Sequence, residues 1–182
     1  MDRPALTALL RRLPPADDQE AGFITRMVTL LEEAEAPFSR AHFTPGHFTA
    51  SAFVLSPEAD EVLLIHHKKL NRWLQPGGHV EADDADALGA ARREVLEETG
   101  LDGLTALGDG LFDCDIHVIP AMKGDPAHEH HDLRFLFQAP TRDFVAGDEV
   151  HGARWVRLED VNAVESDASV MRAVQKLIRR RR

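Results

Sequence analysis

The chain has 182 residues, 43% hydrophobic and 29% charged, with a formal net charge of −10. This balance suits one globular domain with its own apolar core and excludes disordered, collagenous and coiled-coil chains. The net acidity argues against a general nucleic-acid binder, no apolar run reaches the ~18 residues of a membrane span, and Met1-Asp2-Arg3-Pro4 does not open a signal peptide. Along the chain, Leu6, Leu9, Leu10 and Leu13 recur at helical spacing until Pro14-Pro15 stops the run. A second amphipathic helix fits Asp18 to Ala36, with Phe23, Ile24, Met27, Leu30 and Leu31 on one side and Pro37 at its end. Phe48 to Leu55 and Glu61 to His67 read as paired strands joined by a turn at residues 56–60, and Trp73 to Gly78 reads as a loop. A helix follows from about Ala85 to Thr99, with Leu88, Ala91, Val95 and Thr99 as its buried stripe and Gly100 as its terminator. Further strands fit Leu111 to Ile119, Leu133 to Gln138 and Ala153 to Leu158, with an exposed loop from Pro120 to Glu129. One or two helices close the chain from Glu159. Interleaved strands and helices predict an α/β layered domain, with residues 1–40 as a helical extension to a main domain over 41–182. The lone cysteine, Cys114, leaves no internal disulfide and points to a reducing, cytoplasmic setting.

Acidity is concentrated between Glu81 and Glu98, where seven carboxylates face Arg92 and Arg93. On a helix, Glu94, Glu97 and Glu98 stand at i, i+3 and i+4 and project together. A solvated acidic face is the plain alternative, but three like charges this close destabilise a helix unless a cation lies among them. Carboxylate oxygens are the preferred ligands of magnesium and manganese. Small Ala87 and Ala90 on the same side leave room for a ligand, and Arg93 reaches Glu97 at i+4. Ahead of the helix, Gly77-Gly78 lets backbone approach a ligand closely, and a carbonyl there could join the metal shell.

Gly78-x5-Asp84-x8-Arg93-Glu94-Val95-x-Glu97-Glu98-x-Gly100-Leu101 resembles the box of the Nudix family, G-x5-E-x7-R-E-U-x-E-E-x-G-U, where U is aliphatic. It departs from that pattern in having Asp84 for Glu and one extra residue before Arg93. The flanking Trp73 to Glu81 and Arg154 to Asp160 are similar to family sequence as well, so the resemblance spans roughly residues 47 to 165. It implies an α/β/α sandwich around a mixed sheet and hydrolysis of a nucleoside diphosphate linked to another group, with a nucleoside triphosphate as the default substrate. It also implies magnesium, or manganese, on Glu94, Glu97, Glu98 and the Gly77 carbonyl. Glu94, Glu98 or the distant Glu149 would be the general base, with Arg93 orienting the acids. A non-catalytic, ligand-sensing Nudix domain is the alternative.

The remaining polar groups admit two readings each. In His128-Glu129-His130-His131-Asp132, residues 128, 130 and 132 would share one face of a strand and could make a second metal site or a phosphate clamp. A polar loop is the other reading. His79, beside the glycines, and Arg72, with Lys68 and Lys69, are candidates to meet an anionic substrate. Trp73, Phe112, Phe135 and Phe137 could stack a base or fill the core. The N-terminal helices could cap the site or form a homodimer contact.

Overall fold

The computed structural model describes residues 1–122, 124–148 and 150–180. The chain builds two compact units. One comprises Met1–Ser51, Gly78–Ala91 and Gly108–Phe135; the other comprises Ala52–Gly77, Arg92–Leu107 and Leu136–Arg182.

The first unit opens with α1 (Arg3–Arg12) and α2 (Asp18–Glu33). Leu6 and Leu10 are buried on α1, and Met27, Leu30 and Leu31 on α2. Asp17 caps α2 by accepting the Glu20 N–H, and Glu20 Oε2 accepts the Ala16 N–H at 2.6 Å, satisfying donors that a helix start leaves orphaned. The helix ends at Glu33 rather than Ala36, where Ala34 turns extended (φ −77°, ψ 138°). Next comes β1 (Gly46–Leu55), buried along its whole length, so it carries no polar–apolar alternation. It begins at Gly46 for a steric reason: a Cβ there would lie 1.8 Å from the Glu129 carbonyl oxygen.

The same unit holds β6 (Asp113–Ile119) and most of β7 (His128–Gln138), paired antiparallel from Asp113↔Arg134 to Ile119↔His128. Here the structure corrects the sequence reading. His128 and Glu129 lie in a strand, not in an exposed loop, and β7 starts five residues before the predicted Leu133. Most of its residues are buried, with Glu129, His130 and Gln138 partly so.

The second unit is organised around β2 (Glu61–His67). It pairs with the end of β1 at Leu55↔Val62, with β3 (Arg72–Leu74) from Ile65↔Leu74 to His67↔Arg72, and with β8 (Val150–Arg157) from Glu61↔Arg157 to Ile65↔Ala153. The segment expected to be one loop, Trp73 to Gly78, instead contributes to β3 and to β4 (Gly77–His79). Asn71, at φ 51°, reverses the chain so that β3 folds back on β2. A short β5 (Thr105–Ala106) pairs with the end of β7. A 3₁₀ turn (Leu158–Ala163) leads to α4 (Ala168–Arg180), which buries Val170, Ala173, Val174 and Leu177.

The hydrogen-bonded strand order is β3-β2-β1-β7-β5, with β4 on β1, β6 on β7 and β8 on β2. Helix α3 (Ala87–Thr99) starts two residues later than predicted, where Asp86 Oδ1 accepts the Gly89 N–H at 2.7 Å. Its buried residues include Ala87, Ala90, Ala91, Val95 and Thr99, while Leu88 is half-buried. Ala87 and Ala90 are therefore packed, not facing open space for a ligand. The class is α/β, as expected. No helix among the described residues is long and apolar enough to cross a membrane.

Candidate functional site

In the second unit the carboxylates lie on the last two turns of α3. Glu98 is 7% exposed, and its Oε2 accepts the Gly77 N–H at 3.0 Å. Arg93 Nη1 lies 3.0 Å from Glu94 Oε1 and 3.0 Å from Glu97 Oε2, so one guanidinium bridges two of the acids. The i, i+3, i+4 spacing thus brings an arginine and three glutamates to one helix end, with Glu98 sunk in the protein and Glu97 mostly in water. Gly77 is joined to this group through its N–H. The donor set is all carboxylate oxygen, which suits a hard divalent cation such as magnesium or manganese.

The same helix end is tied to the segment ahead of β8. Gly147 N–H donates to the Glu98 carbonyl at 2.8 Å, and Val145 N–H donates to the Thr99 carbonyl at 2.8 Å. A Cβ on Gly147 would lie 2.2 Å from the Glu97 carbonyl oxygen, so only glycine permits this approach. Lys68 donates to the Asp148 carbonyl. Glu149, the third base candidate, lies outside the described residues. Arg72 is exposed on β3. Trp73 has the Arg154 guanidinium 4.1 Å from its ring centroid, so that ring stacks on a cation within the protein.

In the first unit β7 meets the condition set by the sequence: His128, His130 and Asp132 alternate along a strand. They meet residues that sequence reasoning missed. The His130 ring lies 4.9 Å from His47, 5.3 Å from His79, 5.5 Å from His117 and 5.3 Å from His128. His47 is 1% exposed, and its Nδ1 faces the His42 carbonyl at 3.2 Å. Nothing in the local sequence around His47 or His117 marks them, because the cluster draws on β1, β4, β6 and β7.

Strands β6 and β7 also carry a charged cluster. Arg134, buried, sits 2.8 Å from Asp132 Oδ2, 3.2 Å from Asp113 Oδ2 and 3.5 Å from Asp115 Oδ2. Thr49 and Ser51 donate to the Asp132 carboxylate at 3.1 and 2.7 Å. The register sets Asp115 directly opposite Asp132, a repulsive pairing that Arg134 relieves.

Burial sets the protonation of these groups. It pushes His130 down from 6.5 to about 2, with the neighbouring imidazoles His117, His47, His79 and His128 adding repulsion. Burial also lowers His131 to about 4, against the opposing pull of Glu129. His47 is lowered by burial, partly offset by the His42 carbonyl. For Arg134 burial works against the charge, but Asp132, Asp115 and Asp113 outweigh it and raise the pKa. His130 and His131 are thus held neutral near pH 7 beside a fixed ionic network.

The family model described as NUDIX domain matches residues 45–174. A Bacillus subtilis protein named "Putative 8-oxo-dGTP diphosphatase" is 30% identical over 151 residues, covering 73% of this chain and 97% of that one. The crystal structure of a NUDIX-family hydrolase from Clostridium perfringens is 28% identical, with a TM-score of 0.54 over 72% of this chain and 95% of its own. The E. coli dihydroneopterin triphosphate pyrophosphohydrolase shares the fold, with a TM-score of 0.59 at 19% identity, over 73% of this chain and 95% of that one.

Proposed function

The chain belongs to the Nudix hydrolase family and is a pyrophosphohydrolase, and we propose that it cleaves, with a divalent metal, a diphosphate bond in a nucleoside diphosphate linked to another group. The observation that carries this reading is the end of α3, where Glu98 accepts the Gly77 N–H and Arg93 bridges Glu94 and Glu97.

Magnesium, or manganese, would be held by Glu94, Glu97 and Glu98 with the Gly77 carbonyl, and would supply charge neutralisation on the diphosphate and acidification of a bound water. The chain's own groups do the rest. The buried Glu98 carboxylate, which accepts the Gly77 N–H, would take the proton. Glu94 and Glu149 are the other base candidates. Arg93 positions Glu94 and Glu97, and the exposed Arg72 meets the anionic substrate. His79, His128 and His130 are the polar rings assigned to substrate binding. Because burial keeps His130 neutral, that ring acts through its lone pair or N–H and not as a cation.

The relative from Bacillus subtilis puts a nucleoside triphosphate first among substrates to try. We assign the hydrolase to residues 41–182 and the helices of residues 1–40 to an extension that caps the site or forms a dimer contact. A cytoplasmic location fits the single cysteine.

The test is a phosphate-release screen over nucleoside triphosphates, nucleotide sugars, ADP-ribose, dinucleoside polyphosphates and coenzyme A. It is run with and without magnesium, with wild type beside Glu98→Gln. Metal-dependent turnover lost in the variant is the expected result. Equal turnover in the variant would overturn the site. Silence across the panel from folded, magnesium-binding protein would favour the ligand-sensing alternative.

A further inference from the structure

The histidine cluster of the first unit contains a buried ring nitrogen with no hydrogen-bond partner among the described residues. One ring nitrogen from each of His47, His79 and His130 lies within 4.8 Å of the other two. These residues come from β1, β4 and β7, and five of the molecule's imidazoles crowd into this one place. Packing alone gives no reason to gather so many polar rings, because each buried ring nitrogen needs a partner.

His47 sharpens the point. Its Nδ1 faces the His42 carbonyl, which makes Nδ1 the protonated nitrogen and leaves Nε2 with a bare lone pair. That Nε2 is buried and has no hydrogen-bond partner among the described residues, in a side chain only 1% exposed. A buried lone pair with no donor costs stability, while the same lone pair with a cation in front of it is a ligand. The two flanking rings are also anchored through Nδ1. His128 Nδ1 lies 2.8 Å from the Pro126 carbonyl, and His117 Nδ1 lies 3.2 Å from Asp115 Oδ2. The Asp113, Asp115, Asp132 and Arg134 network brings three carboxylates against one guanidinium, a surplus of negative charge in the same unit.

We propose that His47, His79 and His130 form a site for a late first-row divalent cation, zinc above all, distinct in residues and in ligand chemistry from the carboxylates of α3. Neutral imidazole nitrogen prefers zinc and its neighbours, whereas magnesium prefers oxygen, so the two sites discriminate between metals by donor type. Two nitrogens on one zinc at ~2.1 Å stand at most ~4.2 Å apart, so small side-chain rotations close the observed spacing around an ion. His128 and His117, whose rings flank His130, are at hand for a further position. A dication on these rings would also give the polar face a fixed positive charge.

The test uses full-length protein with any histidine tag removed. Metal is stripped with a chelator, and zinc or cobalt(II) is then titrated in, without any activity readout. The expected result is one tightly bound zinc per chain, not displaced by excess magnesium, with X-ray absorption giving imidazole nitrogens at about 2.0–2.1 Å. His47→Gln and His130→Gln should each weaken zinc binding by more than ~100-fold, beyond what loss of an outer partner costs. Glu94→Gln/Glu97→Gln/Glu98→Gln should retain zinc. If the histidine variants do not fold, cobalt(II) absorption of wild type still decides between a nitrogen-rich site and an oxygen site. Zinc that follows the glutamates, an oxygen-only spectrum, or no tight zinc in folded wild type would overturn the proposal. Because binding is read directly, its failure is separable from failure of the hydrolase reading.

Discussion

The end of α3 and the histidine face of β7 are both polar clusters, and they are built on opposite plans. At α3 the acidic groups come from one helix within two turns, with Glu98 buried and Glu97 largely in water beside Arg93. At β7 the groups come from four separate strands, and burial holds His130 and His131 well below the ordinary histidine value. The first arrangement is cheap to fold and stores repulsion that a cation relieves. The second demands that distant segments be placed before any of its chemistry exists. Local clusters tolerate exposure, whereas assembled ones depend on the fold around them.

The contrast can be broken most severely at Arg134. Replacing it with Met leaves three buried carboxylates without their counter-ion, and stability should fall by ~3–5 kcal/mol with no α3 carboxylate altered. Urea melts measure this, and a loss below about 1 kcal/mol would mean the aspartates are solvated. The opposite outcome is expected at Glu98→Gln. Activity should drop at least ~100-fold, equivalent to ~2.7 kcal/mol in the barrier, while the melting temperature stays near wild type.

A smaller effect is expected at Gly147→Ala. Its Cβ collides with the Glu97 carbonyl, so the backbone must shift, at a cost of about 1–3 kcal/mol. Turnover should fall with it, because the same backbone carries Glu97 and Glu98; a variant as stable as wild type would show that the approach is looser. The gentlest probe is pH on metal-stripped protein. His130 and His131 have folded values of about 2 and about 4, below the unfolded 6.5. The unfolded chain therefore takes up protons that the folded chain refuses. Stability is full above 6.5 and falls as pH drops below it, by up to ~1.4 kcal/mol per pH unit for each such ring. Denaturant melts between pH 7 and 5 read this slope, and a flat profile would mean the rings titrate freely.

These clusters also explain what the sequence can reveal. Glu94, Glu97 and Glu98 are legible because helical periodicity converts spacing into proximity without any tertiary knowledge. The β2 boundaries, Glu61 to His67, are legible because β-branched and apolar residues stop at a clear turn. His128 to Asp132 is legible only as a polar run. Its place in β7 is hidden because its partners, His47, Thr49 and Ser51, lie some eighty residues away and carry no local signal. The register Asp113↔Arg134 likewise turns a scatter of charges into a network only after the strands pair. Arg93 is readable as a neighbour of Glu97, whereas the burial of Ala87 and Ala90 is not, since small residues mark close packing as readily as open room.

Glu20 bears on where this chain can be cut. Besides closing the start of α2, its Oε1 accepts the Cys114 N–H on β6 at 3.3 Å, and the residue is wholly buried. The second helix is thus stitched to the strand that carries Asp113, Asp115 and His117. A chain begun at residue 41 would strip an acceptor from a buried amide and lay bare the surface under Met27, Leu30 and Leu31. Trimming to the stretch matched by the family model would yield a shorter polypeptide whose first casualty is solubility, so expression work should retain the leading helices even if they never meet a substrate.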